Sequence, residues 1–294
     1  MRHVVTLVSD PTTFPLTAAI IARVREAIEG GAPNILSEGE AADIPTDTPP
    51  SRETILAALA NAPVDAIASP EEGRRKRLLI ADMDSTIVTT ETLDEIAAYA
   101  GLKDEIAAIT RLSMNGELDF AEALRRRVAM LKGLGLDALE KTWQRTELTA
   151  GAAELVATMR AHGALTALVS GGFTFFTTRV AARVGFDIHR ANRLIDDGAA
   201  LTGHAGEPIL DRDAKLATLR ELAAARGLSL SETLATGDGA NDLAMLREAG
   251  MGIAFRAKPI VAAEARAQVD HAGLRALLFA QGYRADEIVT ALSR

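Results

Sequence analysis

Leu78-Leu79-Ile80-Ala81-Asp82-Met83-Asp84-Ser85-Thr86-Ile87 is the stretch on which the reading of this chain turns. Four consecutive apolar residues between polar neighbours read as a strand buried on both faces, the pattern of a parallel sheet in an α/β protein. Asp82 and Asp84 then sit at the carboxyl end of that strand. If the extended conformation persists through them, side chains i and i+2 point the same way and both carboxylates face one cleft. Two adjacent like charges are costly unless they share a cation or a proton, so the stretch predicts the start of a magnesium-dependent phosphoryl-transfer site.

Composition bounds the rest. With 294 residues and 48% hydrophobic content the chain can build one large unit plus a small one. Its 32 basic and 40 acidic residues give a formal charge of −8, which argues against nucleic acid or an anionic membrane as the main partner. Cysteine is absent, which excludes disulfides, thiolate ligands and cysteine nucleophiles. The five histidines lie far apart and none has zinc-helix spacing. The apolar start is too short for a secretory segment, and a cytoplasmic location is the expectation.

Outward from the aspartate strand, residues 1–73 alternate strand-like runs (Val4 to Val8, Val64 to Ser69) with helical ones (Thr17 to Glu29, Arg52 to Asn61). The polar stretch Ser37 to Pro50 has no helical period. This is expected to be a small α+β unit of reduced ferredoxin-like type. Glu71 to Arg77 is a charged junction that reads as a solvated linker. Residues 74–294 form the larger unit. Within it, about 92–150 is a helical insertion, with breaks at Gly101, Gly116 and Gly133/Gly135. From Gly151 onward, helices alternate with the apolar runs Ala164 to Val169, Thr233 to Thr236, Met251 to Ala254 and Val269 to Asp270, the signature of a Rossmann-like parallel sheet with crossover helices. Ile188 to Ile195 and Ala199 to Thr202 flank Asp196-Asp197-Gly198, a hairpin signal.

Ligands bind outside the carboxyl ends of strands in such sheets, so the residues just after each apolar run are the informative ones. The runs lead into Asp82 and Asp84, into Ser170-Gly171-Gly172, into Gly237-Asp238-Gly239-Ala240-Asn241-Asp242, and into Phe255-Arg256 ahead of Lys258. Ser170 offers a hydroxyl, and its two glycines let backbone N–H groups approach an anion. Asp238 and Asp242 add the hard oxygens that magnesium prefers. Each feature has a plainer reading when taken alone: a strand-to-helix turn for Ser170, a helix cap for Asp242, a solvated helical lysine for Lys215.

Taken together, Asp82 to Ile87, Ser170, Lys215 and Gly237 to Asp242 resemble the four motifs of the haloacid dehalogenase-like hydrolases. The insertion resembles the cap of that superfamily's phosphoserine phosphatases, through Glu91-Thr92-Leu93-Asp94-Glu95 and the run from Leu118 to Gly133. The resemblance spans roughly Arg77 to Gly273. The first 70 residues loosely resemble amino-acid-sensing ACT-type domains.

The resemblance implies a fold, a reaction and a set of roles. The fold is a parallel-sheet hydrolase core with a helical cap. The reaction is magnesium-dependent hydrolysis of phosphoserine, the last step of serine biosynthesis. Asp82 would be the nucleophile that becomes an aspartyl phosphate, and Asp84 the acid and base. One magnesium ion would be held by Asp82, the Asp84 carbonyl and Asp238, with Asp242 binding directly or through water. Lys215, Ser170 and the Gly171 amide would hold the phosphoryl oxygens. Glu91 would take the substrate ammonium, Arg127 its carboxylate, and Asn241 a further hydrogen bond, with Met114 and Phe120 shielding the site. Met83 and Ile87 are read as core, Thr86 as a hydroxyl bonding the nucleophile loop, and Arg127 has a plain alternative as a solvated member of Arg125-Arg126-Arg127. Two other functional readings stand beside this one: a phosphatase or phosphotransferase for another small amino phosphate such as phosphohomoserine, and a non-catalytic amino-acid sensor. For residues 1–73 the candidate roles are regulation and a homodimer surface.

Overall fold

The computed structural model describes residues 2–114 and 117–290, with the side chains of Met114 and Arg212 outside the description. The expected roles of Met114 as a shield and of Gly116 as a helix break therefore lie outside the described residues. In chain order, the first elements are β1 (His3–Val8), α1 (Ala18–Ala27), β2 (Asn34–Ser37), β3 (Ala41–Thr46), α2 (Arg52–Leu59) and β4 (Asp65–Pro70). They form an antiparallel sheet ordered β2-β3-β1-β4. Its helices bury a core of its own, including Val5, Leu7, Ile21, Val24, Ile44 and Leu59. β3 falls inside the run Ser37 to Pro50, which has no helical period, and β2 leads into it. Their inward residues Leu36, Ala42 and Ile44 are buried, and pairing with β1 rather than propensity makes β3 a strand.

The second sheet begins with β5 (Leu78–Ala81), all of whose residues are buried. The cap follows as α3 (Thr92–Tyr99), α4 (Lys103–Met114), α5 (Phe120–Met130) and α6 (Asp137–Arg145). Then come α7 (Ala152–Ala161), β6 (Leu165–Phe173), α8 (Thr174–Val184), β7 (Ile188–Asn192), β8 (Leu194–Asp196), β9 (Leu201–Ala205), α9 (Arg212–Ala225), β10 (Thr233–Gly237), α10 (Leu243–Glu248), β11 (Met251–Phe255), α11 (Pro259–Glu264), β12 (Ala267–Val269) and α12 (Ala276–Ala280). Six of these strands pair in the order β12-β11-β10-β5-β6-β7, every pair parallel. The chain runs outward from β5 to β6 and β7, then returns to build β10, β11 and β12 on its other side. That reversal puts a topological switch point between β5 and β10, where a crevice opens at the strands' carboxyl ends. Within the region read as one strand from Ile188 to Ile195, the structure separates β7, an edge of the parallel sheet, from β8, which pairs with β9 in the expected Asp-Gly hairpin.

Two seams fix the cap. At its base Thr89 N–H donates to Glu147 O and Thr149 N–H to Ile87 O, so the entering and leaving segments run side by side. At its far side Gly133 N–H donates to Leu201 O, Leu201 N–H to Leu134 O and Leu136 N–H to Ala199 O, joining the cap to the β8–β9 hairpin.

The charged junction is exposed at Glu71, Glu72, Gly73, Arg75 and Arg77, as expected of a solvated linker, but it is also tied to the rest of the chain. Lys76 is buried, its Nζ donating to Gly73 O and Ser231 O, while Arg74 pairs with Asp43 and Arg75 with Glu287. Each cation found a partner from a distant element, which no local pattern encodes. Asp65 at the start of β4 is buried and accepts the backbone N–H groups of Asp270, His271 and Ala272, at 2.8, 3.1 and 2.7 Å. Burial raises its pKa, and these donors oppose the rise. No described helix is long and apolar enough to cross a membrane.

Asp65→Ala strands three backbone donors at once. The expected loss is about 3 kcal/mol of unfolding free energy, measured as a lower urea midpoint at unchanged m value. An unchanged midpoint would show that those amides find other partners.

Candidate active site

The aspartate strand ends at Ala81, but the backbone stays extended at Asp82 (φ −71°, ψ 160°) and Asp84 (φ −66°, ψ 137°) before Ser85 turns it at φ 55°. Both carboxylates therefore face one cavity of about 610 Å³, lined from the core by Asp82, Asp84, Ser170, Gly171, Asp238 and Asn241. The cap side adds Glu91, Phe120 and Arg127. Of the expected site residues that the structure describes, Asp242 does not line the cavity, and neither does Lys215. Lys215 lies behind the carboxylates, 1% exposed, where a helical lysine is ordinarily solvated.

Lys215 stands in the first turn of α9, whose amino end is capped by Asp211 accepting from Asp213 N and Ala214 N. Its Nζ lies 2.8 Å from Asp82 Oδ1 and 2.6 Å from Asp242 Oδ1. Burial would lower the ammonium pKa, but the two carboxylates hold it above the ordinary lysine value. Asp242 is fully buried, with its second oxygen accepting Gly239 N–H at 3.0 Å. Burial pushes its pKa up to about 7, with Asp82 adding to the rise and Lys215 opposing it. Gly237 is required here because a Cβ would run into the Asp242 carboxylate.

Asp84 Oδ1 accepts Thr92 N–H at 3.2 Å from the start of α3. Burial, then Glu91 and Asp82, raise its pKa well above the carboxylate range. Asp238 is raised to about 6, by burial and by Asp82. Ser170 Oγ accepts Gly172 N–H at 2.9 Å. The ladder between β6 and β7 shifts between Val169 and Phe173, so Ser170, Gly171 and Gly172 depart from regular pairing at the cavity wall. A Cβ on Gly172 would lie 2.9 Å from Asp84 Oδ2, and one on Gly171 3.1 Å from the Phe120 ring. Met83 and Ile87 are core residues, as expected. Thr86 departs from its expected role: its hydroxyl is buried with no hydrogen-bond partner among the described residues. The turn at Ser85 gives the loop its bonds through the backbone and through Ser85 Oγ, which donates to Glu91 Oε1 at 2.9 Å.

On the cap, the three consecutive arginines separate by role. Arg125 pairs with Glu207 and Arg126 with Glu122 on the surface. Arg127 turns to the cavity, held by Ala123 O and Thr110 Oγ1, both at 3.2 Å. Burial lowers its pKa, and Asp94 and Glu91 counter this. Two contributors were missed. Asn192 is buried, donates to Gly171 O at 2.9 Å and accepts Leu210 N–H at 2.7 Å, so it anchors the Ser170 loop; nothing in its sequence context marks it. Lys258 lines the cavity and approaches Asp238 and Glu91, and its place just after an apolar run was the available signal.

A divalent cation fits these residues. Asp82, Asp238 and Asp242 are buried and offer oxygens all within 4.8 Å of one another. Lys215 and Gly239 occupy both oxygens of Asp242, whereas Asp82 Oδ2 accepts no hydrogen bond among the described residues. Asp82 and Asp238 are thus the carboxylates with an oxygen to offer a cation, with Asp242 behind them.

Residues 79–247 match the model of haloacid dehalogenase-like hydrolases. The chain belongs to that family. It is 38% identical over 298 residues to a phosphoserine phosphatase of Streptomyces coelicolor, a match covering 99% of this chain and 73% of that protein. A HAD family hydrolase structure from Salmonella enterica serovar Typhi superposes with a TM-score of 0.82 at 30% identity, over 97% of this chain and 100% of that one. A substrate-bound phosphoserine phosphatase complex superposes with a TM-score of 0.65 at 40% identity, over 70% of this chain and 98% of that one.

Lys215→Met leaves two buried carboxylates without their cation. The expected cost is about 3 kcal/mol in metal-free buffer at pH 8. Asp242, with a folded pKa already near 7, lies above its unfolded value, so it binds protons more readily when folded. Without Lys215 that pKa rises further, so the variant's deficit should shrink as pH falls toward 7 and level off below it, as read by urea unfolding at pH 9, pH 8 and pH 6. A deficit independent of pH would mean that Asp242 is not the group left uncompensated.

Proposed function

We propose that this protein hydrolyses O-phospho-L-serine to L-serine and phosphate, using one magnesium ion and an aspartyl phosphate formed on Asp82. This would be the last step of serine biosynthesis. The observation that carries the reading is the convergence of Glu91 and Arg127 from the cap on the cavity that holds Asp82 and Asp84. An anion, a cation and a nucleophile facing one space match a substrate that bears an ammonium, a carboxylate and a phosphate.

Asp82 attacks phosphorus, and the bond from phosphorus to the serine oxygen breaks. Asp84 is suited to arrive protonated, because burial raises its pKa, and it gives that proton to the departing alkoxide. As a carboxylate it then takes a proton from water. The resulting hydroxide equivalent attacks phosphorus, releasing phosphate and restoring Asp82. Ser170 and the Gly171 amide hold phosphoryl oxygens where negative charge gathers, while Lys215, behind the cavity wall, fixes the Asp82 carboxylate in place and adds its positive charge to the phosphoryl site. Asp82, the Asp84 carbonyl and Asp238 would hold the magnesium ion, which supplies charge neutralisation between carboxylates and ester dianion. Asn241 adds a hydrogen bond to the substrate, and Phe120 limits water.

The same reading divides the chain into residues 1–73 and 74–294, with the cap at about 92–150. The separate core of the first unit supports that division.

Phosphate release from phosphoserine, with and without magnesium, tests the chemistry. Asp82→Asn should abolish turnover, and Asp84→Asn should lower kcat by about 10² to 10⁴. Full activity of Asp82→Asn would remove it as nucleophile, and amino-acid binding with no phosphate release would favour a sensor.

For the substrate, Arg127→Lys should raise KM for phosphoserine about tenfold with little change in kcat, since a forked pair to a carboxylate is lost. Similar kcat/KM for phosphoserine, phosphothreonine and phosphohomoserine would overturn the narrow assignment.

A further inference from the structure

The site contains two lysines held in opposite ways. Lys215 is 1% exposed and locked at 2.6 to 2.8 Å, whereas the side chain of Lys258 is 38% exposed. The Lys258 backbone is nonetheless pinned. Lys258 is the residue before Pro259 at the start of α11, and its N–H donates to the Asp238 carbonyl at 3.0 Å. From that fixed base the flexible stem returns to the cavity, placing Nζ 3.4 Å from Asp238 Oδ2 and 3.6 Å from Glu91 Oε1. One ammonium group thus spans two carboxylates at distances longer than those of Lys215, a loose ion bridge with solvent access.

Those two carboxylates are the ones that arriving cations need. In the phosphatase reading, Asp238 serves the divalent ion and Glu91 the substrate ammonium. We infer that Lys258 is a placeholder cation: it neutralises Asp238 and Glu91 in the empty site and yields Asp238 to the metal and Glu91 to the substrate amine. The geometry suits exchange. The pinned backbone keeps the ammonium within reach, the long stem lets it swing aside into solvent, and contacts of 3.4 and 3.6 Å are looser than those that lock Lys215. Lys258 acts through the carboxylates that it releases, and is therefore a positioning residue.

The inference rests on the phosphatase reading for the identity of the substrate amine, so its test uses metal binding, which needs no turnover. Mn²⁺ binding would be measured by calorimetry on the full chain without substrate. Lys258→Met should bind Mn²⁺ about two- to fivefold tighter than wild type, the scale of a partly exposed ion pair, and Lys258→Arg should stay near wild type. Glu91→Gln releases Lys258 onto Asp238 alone, so it should weaken Mn²⁺ binding more in the wild-type background than in Lys258→Met. In turnover, Lys258→Met should lower KM for phosphoserine but not for p-nitrophenyl phosphate, which has no ammonium. Mn²⁺ binding that is unchanged or weaker in Lys258→Met would overturn the placeholder role, as would equal effects of Glu91→Gln in both backgrounds. Absence of Mn²⁺ binding in wild type would overturn this inference together with the metal site. The predicted binding pattern without phosphate release from phosphoserine would overturn the phosphatase reading alone.

Discussion

The bridge from Lys215 to Asp82 and Asp242 is the constraint on which the rest of the site depends. It ties the end of β5, the turn after β10 and the first turn of α9 through a single buried ammonium. Without it, Asp82, Asp84, Asp238 and Asp242 would gather in a low-dielectric cleft with little to offset their repulsion. With it, the four carboxylates divide. Asp242 spends both oxygens on Lys215 and the Gly239 amide, Asp82 spends one, and Asp238 and Asp84 are pushed by burial toward protonation. A cleft that is short of positive charge in this way is prepared for a divalent cation at Asp82 and Asp238, and for a proton on Asp84.

Backbone geometry lets the carboxylates come so close. A side chain on Gly237 would displace Asp242, and one on Gly172 would press on Asp84. These glycines were legible as strand-end turns, but not as the reason the acids can pack. Much else could be read directly. The buried apolar runs became β5, β6, β10 and β11 because a parallel sheet demands hydrophobic strands, whereas the edge strand β12 buries only Val269. Asp82, Asp84 and Asp238 fell at the strand ends where the topology opens.

What sequence did not reveal depends on partners far along the chain. β2 and β3 are strands because β1 pairs with β3, Lys76 is buried because Ser231 lends a carbonyl, and Asn192 matters because it ties Gly171 to Leu210. The Arg125-Arg126-Arg127 run illustrates the limit well. Its composition suggests one solvated patch, yet helical geometry turns consecutive residues by about 100° and sends the third arginine inward while the others meet Glu207 and Glu122.

The two seams of the cap bear on how a substrate could enter. Glu91 precedes α3 close to the base seam at 87–89 and 147–149, where the chain crosses into the cap. Arg127 lies on α5, whose neighbour across the interface is β9 of the hairpin. A rigid swing of the cap about its base would leave Glu91, beside that seam, nearly in place, but it would also have to break the bonds of Gly133, Leu134 and Leu136 to the hairpin. Gly203 makes that contact tight, since a Cβ there would lie 2.9 Å from Lys132 Cβ. Opening is therefore cheaper if the hairpin travels with the cap, or if the movement is confined to α3 and α4, which the hairpin seam does not hold. In the first case Glu91 stays registered to Asp82 while Arg127 moves with the cap; in the second Arg127 keeps its place on α5 beside the hairpin.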